Sequence, residues 1–390
     1  MTALRFLTSG ESHGQGFLII VEGLPAGLEV RLDRVKEELA RRRRGFGRGE
    51  RMKIERDLLE IWGGVRDGLT TGAPVGFTLK NSECELWRST LDPQRVEKEA
   101  AESKKITRPR PGHADLSGAI KYGHRDMRNV LERASARATV AWTVAGTLGR
   151  LLLESLGVEV RGAVTSIGGV YVAPPQSELE WAFARSSSMG SPRQEDEELL
   201  EKVVRSAMEK GDSVGGTFVV SAVGLPPGIG SYAEWDRRLD GRLAAALMAI
   251  PAIKGVEIGD GFLSADRLGS EVHDEILLRD GELARATNRA GGLEGGMTNG
   301  EEVIVRAAMK PIPTIKNPLR TVDIETGIAT TAHAERSDTC AVPAACVVGE
   351  AMVAWTLAVA VLEQFGGDTA EELKSRFALY REKAEGFLDG

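Results

Sequence analysis

Two stretches of the chain leave little freedom in the choice of fold. Ala138–Gly149 and Ala351–Leu362 each run for 12 residues without a charged side chain. A bilayer span needs about 20 apolar residues, so these are too short to cross one. The longer patterns around them, near Asn129–Leu156 and Ala344–Phe365, predict helices that are apolar nearly all round. A helix without a polar face belongs in the interior, with other layers covering it on both sides.

The covering layers are visible as an internal echo. Gly16–Gly27 reads G-F-L-I-I-V-E-G-L-P-A-G, and Gly216–Gly228 reads G-T-F-V-V-S-A-V-G-L-P-P-G. Each is a β-rich run ending in G-L-P-x-G. Each is followed by a helical pattern, Leu32–Arg44 in one case and Tyr232–Ala249 in the other. Each half then reaches an apolar helix, at Val140-Ala141-Trp142 and at Val353-Ala354-Trp355. The leucine-to-tryptophan spacings are 118 and 130 residues. A duplicated strand–turn–helix plan with pseudo-twofold symmetry is expected, with repeats at roughly 1–156 and 213–366. Further strands are expected at Ala73–Leu79, Val158–Val164, Thr217–Val223 and Glu302–Met309. The helix from Leu32 is expected to stop at Gly45, and the charged helix Glu195–Lys210 to be exposed. No Gly/Ser-rich linker divides the chain, so residues 1–390 read as one large mixed domain with strands outside and helices between.

The net charge of -7 hides three basic islands. Residues 41–56 carry +6, 104–128 carry +5 and 306–320 carry +4, which leaves -22 elsewhere. An acidic chain with local basic clusters points to a small polyanion, because nucleic-acid binders are usually basic overall. Aromatics at 5% also argue against a base-stacking surface. A solvated face is the alternative for each island. Three cysteines without C-x-x-C spacing exclude a disulfide framework and a zinc cage. The opening MTALRFLTSGESHG has no long apolar core, so no secretory signal is expected and the chain reads as cytoplasmic. The five histidines show no tight ligand pair, so no metal is expected.

Several loops could carry chemistry. Gly10-Glu11-Ser12-His13-Gly14 has the G-x-S-x-G form of a nucleophile elbow, but that motif needs a helix after it and Phe17–Glu22 reads as a strand. Gly45-Phe46-Gly47-Arg48-Gly49 sits in the first basic island with Arg42 and Arg51 nearby, suited to phosphate or carboxylate capture. Arg108-Pro109-Arg110-Pro111-Gly112-His113-Ala114-Asp115 is stiffened by two prolines, and its histidine is a candidate proton donor or a structural residue. Glu132-Arg133-Ala134-Ser135-Ala136-Arg137 opens the first apolar helix, where small residues expose backbone amides. Asp338, ahead of the second, could be a helix cap. A G-x-x-x-x-G-K-[ST] phosphate loop is missing.

In this order, Gly10–Gly14, Arg44–Gly49 with Arg51-Met52-Lys53-Ile54-Glu55, Arg110–Asp115, Arg133–Arg137 and Arg336-Ser337-Asp338 resemble the chorismate synthase family. The resemblance runs from Phe6 to about Phe365. Phe46 stands where many members carry Tyr or His, Ala134 where Ser is frequent, and Pro251 where several have Asn. It implies an α+β fold, a β-α-β sandwich with an internal pseudo-twofold repeat and helices between antiparallel sheets, assembled as a homotetramer. It implies a lyase of the shikimate pathway, in aromatic amino acid biosynthesis. That enzyme converts 5-enolpyruvylshikimate 3-phosphate to chorismate by anti-1,4-elimination of phosphate and the C6 proton. Reduced FMN is required without net redox change. No reductase module is legible, so an external flavin reductant is expected, with intrinsic NADPH-dependent reduction as the alternative.

The resemblance also implies roles. His13 assists the leaving phosphate, with Ser12 beside it and Ser135 in the same catalytic set. His113 protonates or stabilises the reduced flavin, and Asp338 relays the C6 proton. Arg42, Arg48, Arg110 and Arg137 bind substrate anions, or in the case of Arg42 and Arg48 NADP. Arg133, Ala134, Ser135, Pro251, Ala252, Gly295, Lys310, Pro311, Ile312, Pro313, Thr314 and Arg336 line FMN. The rival readings are a serine hydrolase acting through Ser12 and a non-enzymatic polyanion binder, for example of RNA. No membrane partner is expected.

Overall fold

The computed structural model describes residues 4–48, 58–279, 281–335 and 337–388. The first half opens with a hairpin, β1 (Arg5–Gly10) and β2 (Gly16–Glu22), followed by helix α1 (Leu32–Arg43). Strands β3 (Leu58–Gly63) and β4 (Val75–Lys80) and helices α2 (Arg128–Ala134) and α3 (Thr139–Glu154) complete it. The second half contains β5 (Glu159–Ile167), β6 (Val170–Tyr171), β7 (Gly216–Val223) and helix α4 (Leu239–Met248). Strands β8 (Ile253–Ile258) and β9 (Val303–Met309) follow, then helices α5 (Val342–Phe365) and α6 (Ala370–Glu385).

The first sheet has the order β1-β2-β4-β3 and the second β8-β9-β7-β5-β6. Every pairing within the two sheets is antiparallel. Read from β5, the second sheet runs β5-β7-β9-β8 and reproduces the first strand for strand. By strand order the second unit therefore begins at Glu159, ahead of the position that the G-L-P echo suggested. Helix α3 packs on β2 and helix α5 on β5 and β7, so the central helices are the filling of a β-α-β sandwich. Strand β2 shows the reason. Phe17, Ile19 and Val21 point into the core while Leu18 and Ile20 face outward, the two-residue period of a sheet covered on one face.

The first apolar helix is not continuous. Helix α2 ends at Ala134, and Ser135 turns extended (φ -62, ψ 139). Its Oγ accepts the Arg137 N–H at 3.2 Å, a 3-10 turn covers Ala136–Ala138, and α3 starts at Thr139. The side-chain acceptor gives the backbone an alternative to the helix ladder, as serine does at helix starts. Three further expectations need correction. The pattern from Tyr232 becomes a 3-10 turn at Trp235–Arg237 before α4 begins at Leu239. The Gln194–Lys210 helix is not exposed all round, because Leu200, Val204 and Ala207 are buried as a stripe. Helix α1 ends at Arg43, two residues before Gly45, and Gly45 supplies the positive φ of the loop beyond it.

Helix α5 is 24 residues long, enough by length and composition to cross a membrane, but 94% of its most apolar window is buried within the protein. It crosses α3 at unusually close range. A Cβ added to Gly146 would lie 2.3 Å from the Ala351 carbonyl oxygen, and one on Gly149 would lie 3.0 Å from Trp355 Cα. The same crossing holds charge. Arg150 of α3 and Glu350 of α5 are buried beside Arg41 and Glu38 of α1. Arg41 donates to Glu350 at 2.8 and 2.9 Å and to Glu38 at 2.6 Å, and Arg150 donates to Glu350 at 2.6 Å. Burial works against both carboxylates, yet Arg41 and Arg150 hold Glu350 and Glu38 below the usual carboxylate range. Arg41, counted in the first basic island, is thus a buried residue committed to this ion cluster.

The crossing generates a paired test. Gly146→Ala should destabilise the protein by about 1–3 kcal/mol, the usual penalty for overpacking a filled core. Gly241→Ala, in α4 with nothing within 4 Å of the added methyl, should be neutral or stabilise by up to about 1 kcal/mol. Urea unfolding monitored by circular dichroism separates the two, and equal effects would contradict the close crossing.

Candidate active site

A cleft of about 420 Å³ opens where the two halves meet. The first half contributes the β1–β2 turn, the end of α1, the proline-stiffened loop and the Ser135 break. The second half contributes Ile250–Ala252, Met309, Lys310, Ile312, Pro313 and Thr314, and the residues around the start of α5. Leu131, Ile250, Ile312, Pro313, Ala344 and Val348 make its apolar side, and four arginines with Lys310 make its cationic side.

His13 stands at one end. Its ring Nδ1 lies 2.9 Å from Glu132 Oε1, and its backbone N–H donates to Glu132 Oε2 at 2.8 Å. The ring lies against Trp87, centroids 4.3 Å apart. Asn81 holds the turn by donating to the carbonyls of Glu11, Ser12 and Gly14 at 3.1, 3.2 and 2.8 Å, and its own oxygen accepts from Arg137 Nη2 at 3.2 Å. The G-x-S-x-G segment is therefore the loop of a β-hairpin. The strand-to-helix elbow of a serine hydrolase does not form, and Ser12 lies buried on the cleft wall.

The proline-stiffened loop folds around Asp115, which is fully buried. Asp115 Oδ1 lies 2.6 Å from His113 Nδ1, and Asp115 Oδ2 accepts from Arg110 Nε at 2.8 Å. Arg110 Nη1 reaches Thr314 Oγ1 at 2.9 Å, which ties the loop to the second half. Burial raises the Asp115 pKa, but the His113 hydrogen bond and then Arg110 overcome it and hold the carboxyl well below the usual range. Opposite, Lys310 Nζ donates to the Gly112 carbonyl at 2.6 Å, and burial, reinforced by Lys254, pushes its ammonium below the usual lysine range. The Lys310 backbone N–H donates at 2.9 Å to Ala252, a non-glycine residue at φ 70.

Asp338 is not a helix cap, since α5 begins beyond Ala341. It pairs with Arg48 at 2.8 Å, and Thr339 N–H donates to Gly47 at 2.8 Å. Gly47 is required here, because a Cβ would meet Val204 at 2.4 Å and φ is 78. The neighbouring Cys340 thiol is pushed up to about 11 by burial, so no thiolate competes for Arg48. Arg42 Nε donates to Thr139 Oγ1 at 3.0 Å and Nη2 to the Ala136 carbonyl at 2.9 Å.

The structure brings Ser12, His13, Arg42, Arg48, Arg110, His113, Ala134, Ser135, Arg137, Pro251, Ala252, Lys310, Ile312, Pro313, Thr314 and Asp338 onto this one cleft. Arg133, Gly295 and Pro311 are not on its wall. Arg133 reaches Thr8 and Gly10 at the edge of the first sheet, and Gly295 sits in the hairpin turn joining Glu294 to Met297. Arg336, and the Arg51–Glu55 part of the glycine-arginine motif, lie outside the described residues. The sequence reading missed the supports: Glu132 as the His13 partner, Asn81, Trp87 and Glu335. Glu335 lies beside His333 at 3.2 Å; although burial opposes it, His333 and Arg128 bring its carboxyl down to about 2.

With the site in place, four likenesses bear on what it does. The family profile described as chorismate synthase matches residues 4–362. The chorismate synthase of Desulforudis audaxviator is 53% identical over 385 residues, covering 97% of this chain and 98% of that protein. That of Geobacillus thermodenitrificans is 48% identical over 388 residues, covering 98% and 100%. A solved structure described as the crystal structure of chorismate synthase matches with a TM-score of 0.79 at 39% identity, covering 99% of this chain and 100% of that one.

The buried Asp115 makes the loop sensitive to acid. Its folded pKa lies below the unfolded value of about 3.9, so its stabilisation is complete above that pH and is lost as pH falls below it. Asp115→Asn should be less stable than the parent at pH 7, and the gap should narrow from pH 4 downward. Urea unfolding between pH 7 and 3 checks this, and a gap independent of pH would contradict it.

Proposed function

The chain belongs to the chorismate synthase family, the lyases of the last step of the shikimate pathway, and from that premise we propose how its cleft carries out the elimination. The observation that carries the reading is the convergence of two histidines, one aspartate and four arginines from separate segments on one partly apolar cleft. The substrate, 5-enolpyruvylshikimate 3-phosphate, carries a phosphate and two carboxylates. Arg42, Arg48, Arg110 and Arg137 take these anions. All four are held by protein partners, so little side-chain freedom is lost on binding. Their common location favours substrate over NADP as the ligand of Arg42 and Arg48.

The residues also fit a flavin. Leu131, Ile312, Pro313 and the small Ala134 and Ala344 offer an apolar slot, while Lys310 and the polar Ser135 and Thr314 stand at its margin. Reduced FMN, when bound, supplies transient electron density that helps phosphate leave, with no net redox change. Pro251 and Ala252 present backbone to it. His113, oriented by Asp115, holds a proton toward the reduced ring. His13 gives a proton to the departing phosphate, with Ser12 and Ser135 beside it, and Asp338, oriented by Arg48, passes on the C6 proton.

Delivery of reduced FMN by an external reductant fits this reading, as do a cytoplasmic setting and a homotetramer. For the tetramer, the support is the outer face of the first sheet, which exposes Leu7, Leu18, Ile20 and Trp62, an apolar patch of the kind subunit contacts cover.

Two variants test the assignments. His113→Ala should lower turnover by roughly 10²-fold or more. Asp338→Asn should retain flavin binding, read by fluorescence quenching, and lose elimination, read by phosphate release. Parental turnover in either variant would remove that residue from the mechanism.

A further inference from the structure

We propose that Glu132 is the positioning residue of His13, and that it sets which ring nitrogen exchanges a proton with the leaving phosphate. The inference rests on the reading of His13 given above. Glu132 is almost fully buried on α2 and grips the Ser12–His13 turn at three points. Its backbone carbonyl accepts the Ser12 N–H at 2.9 Å, and Oε2 accepts the His13 N–H at 2.8 Å. Oε1 lies 2.9 Å from His13 Nδ1. A carboxylate against Nδ1 favours the tautomer with the proton on Nδ1, so the proton exchanged with a ligand is the one on Nε2.

The carboxylate is itself fixed. Arg128 Nη1 donates to Oε1 at 3.2 Å, while Arg128 Nε is anchored on the Lys104 carbonyl at 2.7 Å. Arg128 Nη2 reaches Glu335 at 3.4 Å, and Glu335 meets His333. Trp87 covers one face of the His13 ring, with Arg128 and Lys104 at 5.0 and 5.1 Å from the indole centroid. Another acid near Glu132 is Glu11, whose carboxyl is pushed up by burial and by Glu132. Edge and face of the imidazole are both held, leaving it little freedom to turn.

In the elimination, the C3–O bond breaks with its electron pair going to phosphate, and the His13 Nε2 proton passes to a phosphate oxygen. Glu132 neither gains nor loses a proton. It holds Nδ1–H in place before and after the transfer, the orienting role a buried carboxylate plays behind a catalytic histidine.

The test is a double-mutant cycle with reduced FMN saturating. Glu132→Gln keeps the size of the side chain and an acceptor for Nδ1–H but removes the charge. It should lower kcat by roughly 10²-fold while KM stays within about threefold. In a His13→Ala background the same replacement should change kcat by less than about twofold, because Glu132 acts through the ring. The tautomer of the neutral ring, read from histidine 15N shifts of the unaltered protein at alkaline pH, should be Nδ1–H, and it decides the matter even if Glu132→Gln does not fold. An equal loss in both backgrounds would mark Glu132 as merely structural and overturn the proposal, as would an Nε2–H tautomer. Undiminished turnover in His13→Ala alone would instead overturn its premise.

Discussion

The close crossing of α3 and α5 is the constraint from which the rest of the molecule follows. Gly146 and Gly149 let the two backbones approach, and one ion cluster locks their azimuth. Each central helix buries one charge, Arg150 or Glu350, and α1 brings Glu38 and Arg41 to balance them. Buried ion pairs add little net stability, but removing one member strands its partner at a cost of roughly 3–5 kcal/mol. The cluster thus fixes how α1, α3 and α5 meet, and the sheets of the two halves are carried on those helices.

The cleft is a consequence of that register. Both halves build its walls, and three contacts tie them together. Arg110 of the first half is steadied by Thr314 of the second, Arg48 by Asp338, and the Gly112 carbonyl by Lys310. The acids distributed through the chain explain why an acidic protein can present a cationic site. Asp115, Glu132, Glu335 and Asp338 neutralise and orient the basic residues, and a polyanionic ligand then meets donors already in place.

Much of this was legible in the sequence. Helices apolar on every side demand a middle layer, and the repeated G-L-P turn pointed to two like halves. The structure shows those halves with the same strand order. The glycine, proline and arginine motifs that resemble the chorismate synthases mostly converge on the cleft. What stayed hidden depends on contacts distant in sequence. Nothing local marks Arg41 as a partner of Glu350, 309 residues away, or Glu132 as a partner of His13, 119 away. The Ser135 break competes with a strong helical pattern through one side-chain hydrogen bond, and Asp338 resembles a cap until Arg48 is folded against it. Arg133, Gly295 and Pro311 fall near the site in sequence motifs but off the wall of the cleft.

The central claim is that one cleft brings a reduced flavin and the enolpyruvyl phosphate together for elimination. It is tested most directly by anaerobic incubation of the protein with 5-enolpyruvylshikimate 3-phosphate and chemically reduced FMN. Phosphate release and the ultraviolet absorbance of the new diene would be followed together. The account predicts both with reduced FMN and neither with oxidised FMN. Elimination at the same rate without reduced flavin, or none with it, would contradict the account.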